Sequence, residues 1–338
     1  MTDWARLAQL AAEATAGQGP RFSNRFPTPH HGLRDVLRWQ WQSRGHSPVR
    51  KRFPLTHPDT ALLATPAEQP RFTWIGHSTW LVQYRDYNLL TDPVFAERCS
   101  PLSFAGPKRV VPPALTVDQL PTIHAVLVSH NHYDHLDQAA VVALNHRFGD
   151  NLCWFAPTGV GQWLQRQGVR QVVELGWWQH HRHPSFDAFC LPTQHFSGRG
   201  LRDRNRTLWC GWRLNWPDFS LFFAGDTGYA PVFREIHEVM GPVDMALLPI
   251  GAYQPRWFMA PVHVDPQEAV RIHQDLQARH SLAMHWGTFI LTDEALDEPP
   301  RALSQALRDA GVPRHAFQVL GHGDTVTVPA NTNNRPAD

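Results

Sequence analysis

The sequence predicts an α/β fold in which two β-sheets pack face to face and helices cover the outside. Short strand patterns such as R-F-T-W-I-G and T-W-L-V-Q-Y come first, from residue 71, and strands then alternate with helical patterns from about residue 138. That order favours two packed sheets over a doubly wound parallel sheet. The glycine-rich fingerprint of a dinucleotide-binding sheet is also absent from the sequence.

The length of the chain suits one large domain or two small ones. It has 338 residues, and single cores stop growing near ~250–300 residues. Hydrophobic residues make up 42% and charged residues 18%, as in folded proteins with a substantial core. No break in the pattern requires a second domain. The sequence predicts an N-terminal arm at 1–70 that packs on the domain, a domain at 71–328 and a C-terminal tail at 329–338.

Strand and helix patterns follow one another without an internal repeat. The strand H-A-V-L-V-S precedes a helix, A-A-V-V-A-L-N-H-R-F, and further helices are predicted around 159–167, at about 231–240 and near 300–310. The main strand patterns between them are L-C-W-F-A, F-D-A-F-C-L-P, L-W-C-G-W-R-L, F-S-L-F-F-A-G, D-M-A-L-L-P-I and L-A-M-H.

The helix D-P-Q-E-A-V-R-I-H-Q-D-L has the best-marked beginning. Asp265 is the predicted N-cap, Pro266 takes the first helical position and Glu268 the third. An acidic cap followed three residues later by Glu forms a capping box, so the helix is expected to begin at Pro266.

Charge and cysteine content limit the classes of partner and compartment. The formal net charge is +1, so no global field attracts nucleic acid and no such partner is expected. The four cysteines are scattered without a C-x-x-C pair, which suits a reducing compartment. The first ten residues lack a signal-peptide pattern, and no window approaches the ~20 apolar residues of a membrane span. A cytoplasmic protein is predicted; peripheral contact with the inner membrane face and a homodimer stay open.

The stretch S-H-N-H-Y-D-H-L-D at 129–137 predicts a metal site. His130 and His132 are two residues apart, so at the end of an extended strand both rings project to the same side. Asp134 and His135 follow in the next turn, where the chain can offer a second set of ligands. Imidazole and carboxylate without cysteine suit zinc, with iron or manganese as second choices.

Three residues at the ends of other apolar strands are candidate remote ligands. His195 ends F-C-L-P-T-Q-H, Asp226 ends F-F-A-G-D and His285 ends L-A-M-H. A site at the shared edge of two sheets requires ligands at such positions. Asp92 also ends a strand, and we expect it to orient a ligand histidine rather than bind metal.

Eight stretches give the chain a resemblance to a known family. They run in order from about residue 71 to 325 and are W-I-G-H-S-T, L-L-T-D-P-V-F, G-P-K-R, V-S-H-N-H-Y-D-H-L-D, F-F-A-G-D-T-G-Y, P-I-G-A-Y-Q-P-R-W-F-M, H-V-D-P-Q-E-A-V-R-I-H and H-W-G-T-F. The histidine motif, the later lone His, G-D-T and the final His resemble the metallo-β-lactamase superfamily. The whole set is similar to the N-acylphosphatidylethanolamine-hydrolysing phospholipase D family.

The resemblance implies an αββα four-layer sandwich of two mixed β-sheets, with helices outside and two metal ions, expected to be Zn²⁺, between the sheets. It implies that one metal is held by His130, His132 and His195. The other is then held by Asp134, His135 and His285, with Asp226 bridging the two.

The predicted function is a zinc-dependent phosphodiesterase of the phospholipase D type. In the resembled family, N-acylphosphatidylethanolamine is hydrolysed to phosphatidic acid and an N-acylethanolamine. A metal-bridging hydroxide is expected to attack phosphorus, with Asp134 and Asp226 orienting it. His263, just ahead of the capped helix, is expected to face the substrate phosphate. The predicted partner is therefore a phospholipid or another phosphodiester.

Aromatic and basic residues beside the predicted ligands are candidates for substrate contact. The aromatic ones would line an acyl channel, with core packing as the alternative, and the arginines would contact phosphate. These candidates are Phe196, Arg199, Tyr253, Arg256, Trp257 and Trp286.

Three other functions stay open on the same residues. One is another hydrolase of this fold, such as a lactonase or a different phosphodiesterase. The second is a redox protein with iron in the same ligand frame, and the third is a lipid-binding protein without catalysis. Metal analysis and a comparison of hydrolysis with lipid binding distinguish them.

Overall fold

The computed structural model describes most of the chain. The described residues are 2–16, 19–29, 31–43, 51–200 and 202–330. The predicted C-terminal tail lies outside them from residue 331 onwards.

Nine α-helices and fourteen β-strands form within the described residues. The helices are α1 (Trp4–Ala16), α2 (Leu33–Gln42), α3 (Thr60–Leu63), α4 (Gln138–Phe148), α5 (Gly161–Arg166), α6 (Val232–Met240), α7 (Arg256–Met259), α8 (Pro266–Asp275) and α9 (Glu298–Asp309). The strands are β1 (Ala67–Gly76), β2 (Thr79–Arg85), β3 (Tyr87–Thr91), β4 (Ala125–Leu127), β5 (Cys153–Pro157), β6 (Val172–Leu175), β7 (His180–Arg182), β8 (Asp187–Leu191), β9 (Gly211–Asn215), β10 (Ser220–Phe223), β11 (Met245–Pro249), β12 (His280–Met284), β13 (Phe317–Gln318) and β14 (Thr325–Thr327).

The strands form two seven-stranded mixed sheets. The first has the order β14-β1-β2-β3-β4-β5-β6, antiparallel from β14 to β3 and parallel from β3 to β6. The second has the order β13-β12-β11-β10-β9-β8-β7, parallel from β13 to β10 and antiparallel from there to β7. In each sheet, parallel strands meet antiparallel ones near the centre.

Side chains that alternate along the strands build two cores. Leu127 and Phe155 face the interior between the sheets, while their neighbours Val126 and Trp154 belong to a second core with Leu144 of α4. Helices α4 and α5 thus cover the first sheet, and α6, α8 and α9 cover the second. This arrangement is the αββα sandwich of the metallo-β-lactamase fold, as the resemblance implied.

The N-terminal segment contributes to the main core. Leu7 and Leu10 of α1 are buried in it, and the Asp3 amide donates to the Val239 carbonyl at 2.7 Å. Strand β1 begins at Ala67, slightly before the expected start of the domain. The boundary at residue 70 stays a prediction.

The parallel strands place several loops at one edge of the sandwich. The carboxyl ends of β3 and β4 point the same way, and so do those of β10, β11 and β12. The segments that follow these strands carry most of the predicted metal ligands, which is the usual place for a site in such sheets. Helix α8 begins as predicted, because the Asp265 carboxylate accepts from the Glu268 amide at 2.9 Å.

Candidate metal centre

Three histidines from two different loops form one compact group. His130 Nε2 lies 2.8 Å from His132 Nδ1, and His195 Nε2 lies 3.2 Å from the same atom. His130 and His132 follow β4, whereas His195 comes after β8 in the other sheet. Three ring nitrogens that point at one another can share a single cation, so this group is a candidate metal site.

A second group lies beside the first. Its members are Asp134, His135, His285 and His77. The Asp134 Oδ2 atom lies 3.4 Å from His135 Nε2 and 3.4 Å from His285 Nε2. His285 follows β12, so this group also joins the two sheets. One carboxylate and three imidazoles again suit a divalent metal.

Asp226 lies between the two groups. Its Oδ2 atom is 3.1 Å from His135 Nε2, and its Oδ1 atom is 3.1 Å from His285 Nε2. The same Oδ2 atom is 4.0 Å from His130 Nε2 and 3.8 Å from His195 Nε2. Asp226 therefore reaches ligand atoms of both groups, which is the geometry expected of a bridging carboxylate.

Neighbouring residues fix the orientation of the histidine rings. Asp92 Oδ2 lies 2.6 Å from His135 Nδ1 and accepts from the Ser129 hydroxyl at 2.5 Å, so His135 presents Nε2 to the centre. The Val262 carbonyl likewise lies 2.9 Å from His195 Nδ1. Such contacts on the second ring nitrogen select the tautomer that binds metal. Asp92 contacts a ligand candidate in this way, as expected from the sequence.

The histidines of the first group are held in their neutral form. Burial, together with the positive charge of His135, holds the pKa of His130 well below its usual range. Burial also lowers the pKa of His195, and it lowers that of His132 to about 4 despite the nearby carboxylates. Neutral imidazole is the form that binds a metal, so these rings are prepared for coordination near neutral pH.

Charge pairing dominates around Asp134 and Asp226. Burial opposes ionisation of both carboxyls, but the charges of His135 and His285 outweigh it and keep each carboxyl pKa well below the usual range. Burial opposes protonation of the two histidines, yet the carboxylates hold the pKa of His135 well above its usual range and raise that of His285 to about 9. These histidines carry positive charge in a region where a metal cation would supply it instead.

Buried polar atoms without hydrogen bonds also indicate that a metal cation would replace the protons of these histidines. Despite separations of 3.1 Å at the centre, none of the described residues forms a well-oriented hydrogen bond with His135 Nε2, His285 Nε2 or Asp226 Oδ1, and all three atoms are buried. Buried polar atoms normally have partners, so such a cluster needs an explanation. A metal ion that accepts electron pairs from all three provides one, and the donor set of nitrogen and carboxylate oxygen fits zinc, iron or manganese.

His77 is a member of the centre that sequence reasoning missed. It lies in W-I-G-H-S-T, a stretch that contributed to the family resemblance without suggesting a role for the histidine. Its Nε2 atom is 3.1 Å from Asp134 Oδ2, and its ring centroid is 4.0 Å from that of His285. Burial lowers the pKa of His77 to about 3, so the ring is neutral and can donate a hydrogen bond to Asp134.

Replacing His77 with Ala is expected to lower metal affinity by about 10–100-fold, because outer partners of metal ligands contribute about that much. The variant should retain its fold, and metal affinity is measured by competition with a chelator. His273→Ala is the matched control, since His273 is a buried histidine that contacts Ser281 away from the centre. Equal affinity in both variants would show that His77 does not position Asp134.

Phe196 and His263 are the other predicted site residues in contact with the cluster. The Phe196 ring centroid lies 4.5 Å from that of His132 and 4.9 Å from that of His195. His263 Nδ1 is 4.0 Å from Asp226 Oδ2, and burial lowers the pKa of His263 to about 4. Both residues are partly exposed and lie directly beside the centre.

The two predicted arginines make contacts with the backbone of site loops. Arg199 Nη1 donates to the carbonyls of Asn131 and Leu136 at 2.9 and 2.7 Å, at the two ends of the loop that carries three candidate ligands. Arg256 donates to the His263 carbonyl at 2.8 Å and to Glu268 at 2.6 Å. Phosphate contact by either arginine stays a prediction.

The three remaining aromatic candidates differ in exposure. Tyr253 is buried and donates from its hydroxyl to Glu298 at 2.7 Å, and Trp286 is buried in a stack with Trp74. Trp257 is 37% exposed, on the short helix α7. Core packing thus accounts for the positions of Tyr253 and Trp286, and their contact with a substrate stays a prediction.

Comparison with known proteins agrees with the fold and the centre. Residues 87–286 match the family model described as the beta-lactamase superfamily domain. A metallo hydrolase of the archaeon Ignicoccus hospitalis has a similar structure, with a TM-score of 0.58 and 20% identity over 77% of this chain and 98% of its own. CmlA, a diiron β-hydroxylase of Streptomyces venezuelae, shares the fold at a TM-score of 0.55 and 22% identity, over 78% of this chain and 55% of its own. The chain is thus a metal-dependent hydrolase of the metallo-β-lactamase superfamily.

One relative identifies the family to which the chain belongs within this superfamily. The N-acyl-phosphatidylethanolamine-hydrolyzing phospholipase D 1 of Caenorhabditis elegans is 41% identical over 248 residues, which cover 70% of this chain and 69% of the relative. The chain belongs to the N-acylphosphatidylethanolamine-hydrolysing phospholipase D family. The cluster of His and Asp residues in its centre can bind metal.

Proposed function

We propose that the protein is a phospholipase D-type phosphodiesterase that hydrolyses N-acylphosphatidylethanolamine to phosphatidic acid and an N-acylethanolamine. The observation that carries this proposal is the pair of ligand groups with Asp226 in reach of both. Two-metal sites suit in-line displacement at phosphorus, because attacking and leaving oxygens can both be stabilised. The activity for which the nematode relative is named supplies the substrate class.

The residues divide into two proposed zinc sites. His130, His132 and His195 would hold one metal, and Asp134, His135 and His285 the other, with Asp226 shared. Bound zinc supplies an activated water and offsets charge on the phosphoryl oxygens. Asp134 and Asp226 stay ionised near neutral pH, so they can accept hydrogen bonds from a water at the centre.

His263 is proposed to contact the substrate phosphate. Its low pKa keeps the ring neutral, and the Arg256 guanidinium holds its backbone carbonyl. A neutral imidazole can donate one hydrogen bond to a phosphoryl oxygen without adding a positive charge. Phe196 then offers an apolar surface next to His132 for the acyl part of the substrate.

A substrate panel tests the proposal. Zinc-loaded protein is assayed with N-acylphosphatidylethanolamine, phosphatidylcholine, a generic phosphodiester and a lactone, all dispersed in the same detergent. We expect release of N-acylethanolamine from the first substrate. If that lipid stays intact while the lactone is opened, the phospholipase proposal is wrong.

The variant Asp134→Asn separates hydrolysis from lipid binding. It should lose hydrolysis but still bind the lipid, since Phe196 and His263 are unchanged. Unchanged hydrolysis in this variant would contradict the assigned role of Asp134. Equal, negligible turnover by both proteins with intact binding would instead favour a lipid-binding function.

An iron-dependent redox function is the second candidate. The same donor set accommodates iron, and the diiron hydroxylase with this fold gives the alternative a concrete form. Elemental analysis of protein purified without added metal distinguishes the two, because predominant iron would count against zinc-dependent hydrolysis. The cytoplasmic location and the homodimer stay predictions.

A further inference from the structure

A loop beside the metal centre presents two exposed apolar side chains. The loop follows β3, and its base is closed by the backbone bridge between Arg98 and Lys108 and by a 2.6 Å hydrogen bond from Arg98 to the Gly106 carbonyl. At its tip, Leu102 is 48% exposed and Phe104 is 77% exposed, the largest value for a large hydrophobic residue among the described residues. An anchored loop with an apolar tip is typical of an interaction site.

Arginines surround the same part of the molecule. Four of the eight residues from 199 to 206 are arginine, with Asp203 as the only acid. The Asp203 carboxylate accepts from the Arg199 and Gly200 amides at 3.0 and 2.8 Å, so it shapes the loop. The side chains of Arg202 and Arg206 are exposed, as is that of Arg166 on α5. This local excess of positive charge contrasts with a net charge of +1 for the whole chain.

One cavity lies between the base of the apolar loop, Arg166, Arg199 and the predicted metal-binding motif. It has a volume of about 460 Å³, and Pro101, Tyr133, Arg166 and Gly200 line its wall. Tyr133 belongs to the metal-binding motif, and Pro101 directly precedes Leu102. The residue before the apolar tip, Arg166 and the first residues of the arginine-rich loop therefore lie around one cavity next to the proposed catalytic centre.

We propose that this surface docks the protein on bilayers that contain anionic phospholipid. The docking face consists of Leu102, Phe104, Arg166, Arg202 and Arg206. The arginines would contact the negatively charged headgroups, and the apolar tip would enter the interface between headgroups and acyl chains. The inference rests on the proposed function, because an enzyme that hydrolyses a phospholipid must reach it in a membrane.

The combination of features favours a bilayer over other anionic partners. Arginines alone would suit nucleic acid or an acidic protein equally well. An exposed Phe on the tip of an anchored loop adds affinity for an apolar interior, which a phosphate backbone lacks. Docking at this face would also bring the bilayer surface to Phe196, on which Arg204 is stacked at 4.1 Å.

Vesicle sedimentation of the full chain tests the docking face. Vesicles of phosphatidylcholine alone are compared with vesicles of phosphatidylcholine and phosphatidylglycerol, at low and high salt. The arginine variant carries three substitutions, Arg166→Gln, Arg202→Gln and Arg206→Gln. Its affinity for the anionic vesicles should fall about 100-fold at low salt, since each basic residue near such a surface contributes about fivefold.

A second variant, Phe104→Ser, tests the apolar part of the docking face. Phe104→Ser should weaken binding to anionic vesicles about tenfold or more, because burial of the ring is lost. The loss should persist at high salt, whereas the effect of the arginine variant should shrink through screening. Leu62→Ser is the matched control, since Leu62 is 44% exposed on α3.

A control triple variant carries the same change of charge elsewhere. It replaces Arg279, Arg308 and Arg314 with Gln; all three are exposed, and Arg279 precedes β12, at the edge opposite the metal centre. It should bind vesicles like the parent protein. Equal losses in the two triple variants would overturn the proposal, as would tighter binding to duplex DNA than to vesicles that depends on the same arginines.

Hydrolysis of detergent-dispersed lipid separates this proposal from the proposed function. If the docking variants hydrolyse dispersed N-acylphosphatidylethanolamine at the parent rate but not the same lipid in vesicles, both proposals are supported. If the parent hydrolyses dispersed lipid and does not bind vesicles, docking is wrong and the function stands. If it binds anionic vesicles through this face but cleaves no phosphodiester, the function is wrong and docking stands.

Discussion

Replacing Asp226 with Asn is expected to reduce phosphodiester hydrolysis by about 1,000-fold or more, because even an outer partner of a metal ligand contributes about 10–100-fold. Asp226 is the carboxylate within 4.0 Å of ligand atoms in both groups. Asn keeps the size of the side chain but removes the charge that two cations would share. We therefore expect metal content to fall at both sites, measured by elemental analysis after dialysis against a weak chelator.

Asp275→Asn is the control for this experiment. The Asp275 carboxylate is also largely buried, where it accepts from the Tyr229 hydroxyl at 2.5 Å and from Arg234 Nε at 2.8 Å, but it lies outside the metal centre. Its replacement should alter thermal stability without changing the number of metals bound. If Asp226→Asn kept two metals and full activity, the assignment of Asp226 as the shared ligand would be wrong.

The fold was predictable because the information lies in local patterns. Alternating apolar residues mark most strands, and the capping residues of α8 mark its first turn, which begins at Pro266. The exposed faces of the helices identify the outer layers in the same way. Strand order was not accessible from those patterns, since the pairing of β1 with β14 joins residues more than 250 positions apart.

The shared location of the candidate metal ligands was predictable for a related reason. His130, His195, Asp226 and His285 each follow an apolar strand within four residues, and the carboxyl ends of parallel strands meet at one edge of a sheet. His130 and His132 at the end of one strand thus indicate where His285 must lie at the end of another. The family resemblance divided the candidate ligands between two metals; His130, His132 and His195 lie together, as do Asp134, His135 and His285, but the division between two metals stays a prediction.

His77 could not be predicted from its own pattern. A lone histidine after a buried strand is more often a core residue, and nothing in W-I-G-H-S-T indicates contact with Asp134, which is 57 residues away. The burial of Tyr253 and Trp286 was equally inaccessible, because it depends on Glu298 and Trp74 from distant segments. Both cases depend on side-chain packing between distant loops, which local sequence patterns do not predict.

Gly225 allows the loop that carries Asp226 to lie close to the loop that carries His130. Gly225 precedes Asp226 and has a φ of +59°, and a Cβ atom there would lie 2.4 Å from Ser129 Cβ and 3.2 Å from the Cys210 carbonyl oxygen. Ser129 precedes His130 and is held by Asp92. The absence of a side chain at Gly225 thus sets the distance between Asp226 and the first histidine group.

Gly225→Ala is expected to lower the free energy of unfolding by about 2–5 kcal/mol. Left-handed backbone costs a residue with a Cβ about 1–2 kcal/mol, and forcing a methyl group into a packed region costs about 1–3 kcal/mol more. Ser129 cannot move away freely, because its hydroxyl lies 2.5 Å from Asp92 Oδ2 and 2.9 Å from His130 Nδ1. Chemical denaturation of the metal-free protein measures the change.

Gly149→Ala is a control that has backbone strain from a positive φ but no steric clash of the new methyl group. Gly149 has a φ of +56°, but a Cβ there meets no heavy atom of the described residues within 4 Å. Its ψ of −135° places it outside the left-handed helical region, so that variant should lose about 1–3 kcal/mol from backbone strain alone. Gly225→Ala should in addition weaken metal binding by about tenfold or more, because the loops that carry Asp226 and His130 are pushed apart. Equal stability losses and unchanged metal affinity in the two variants would show that close packing at Gly225 does not position the ligands.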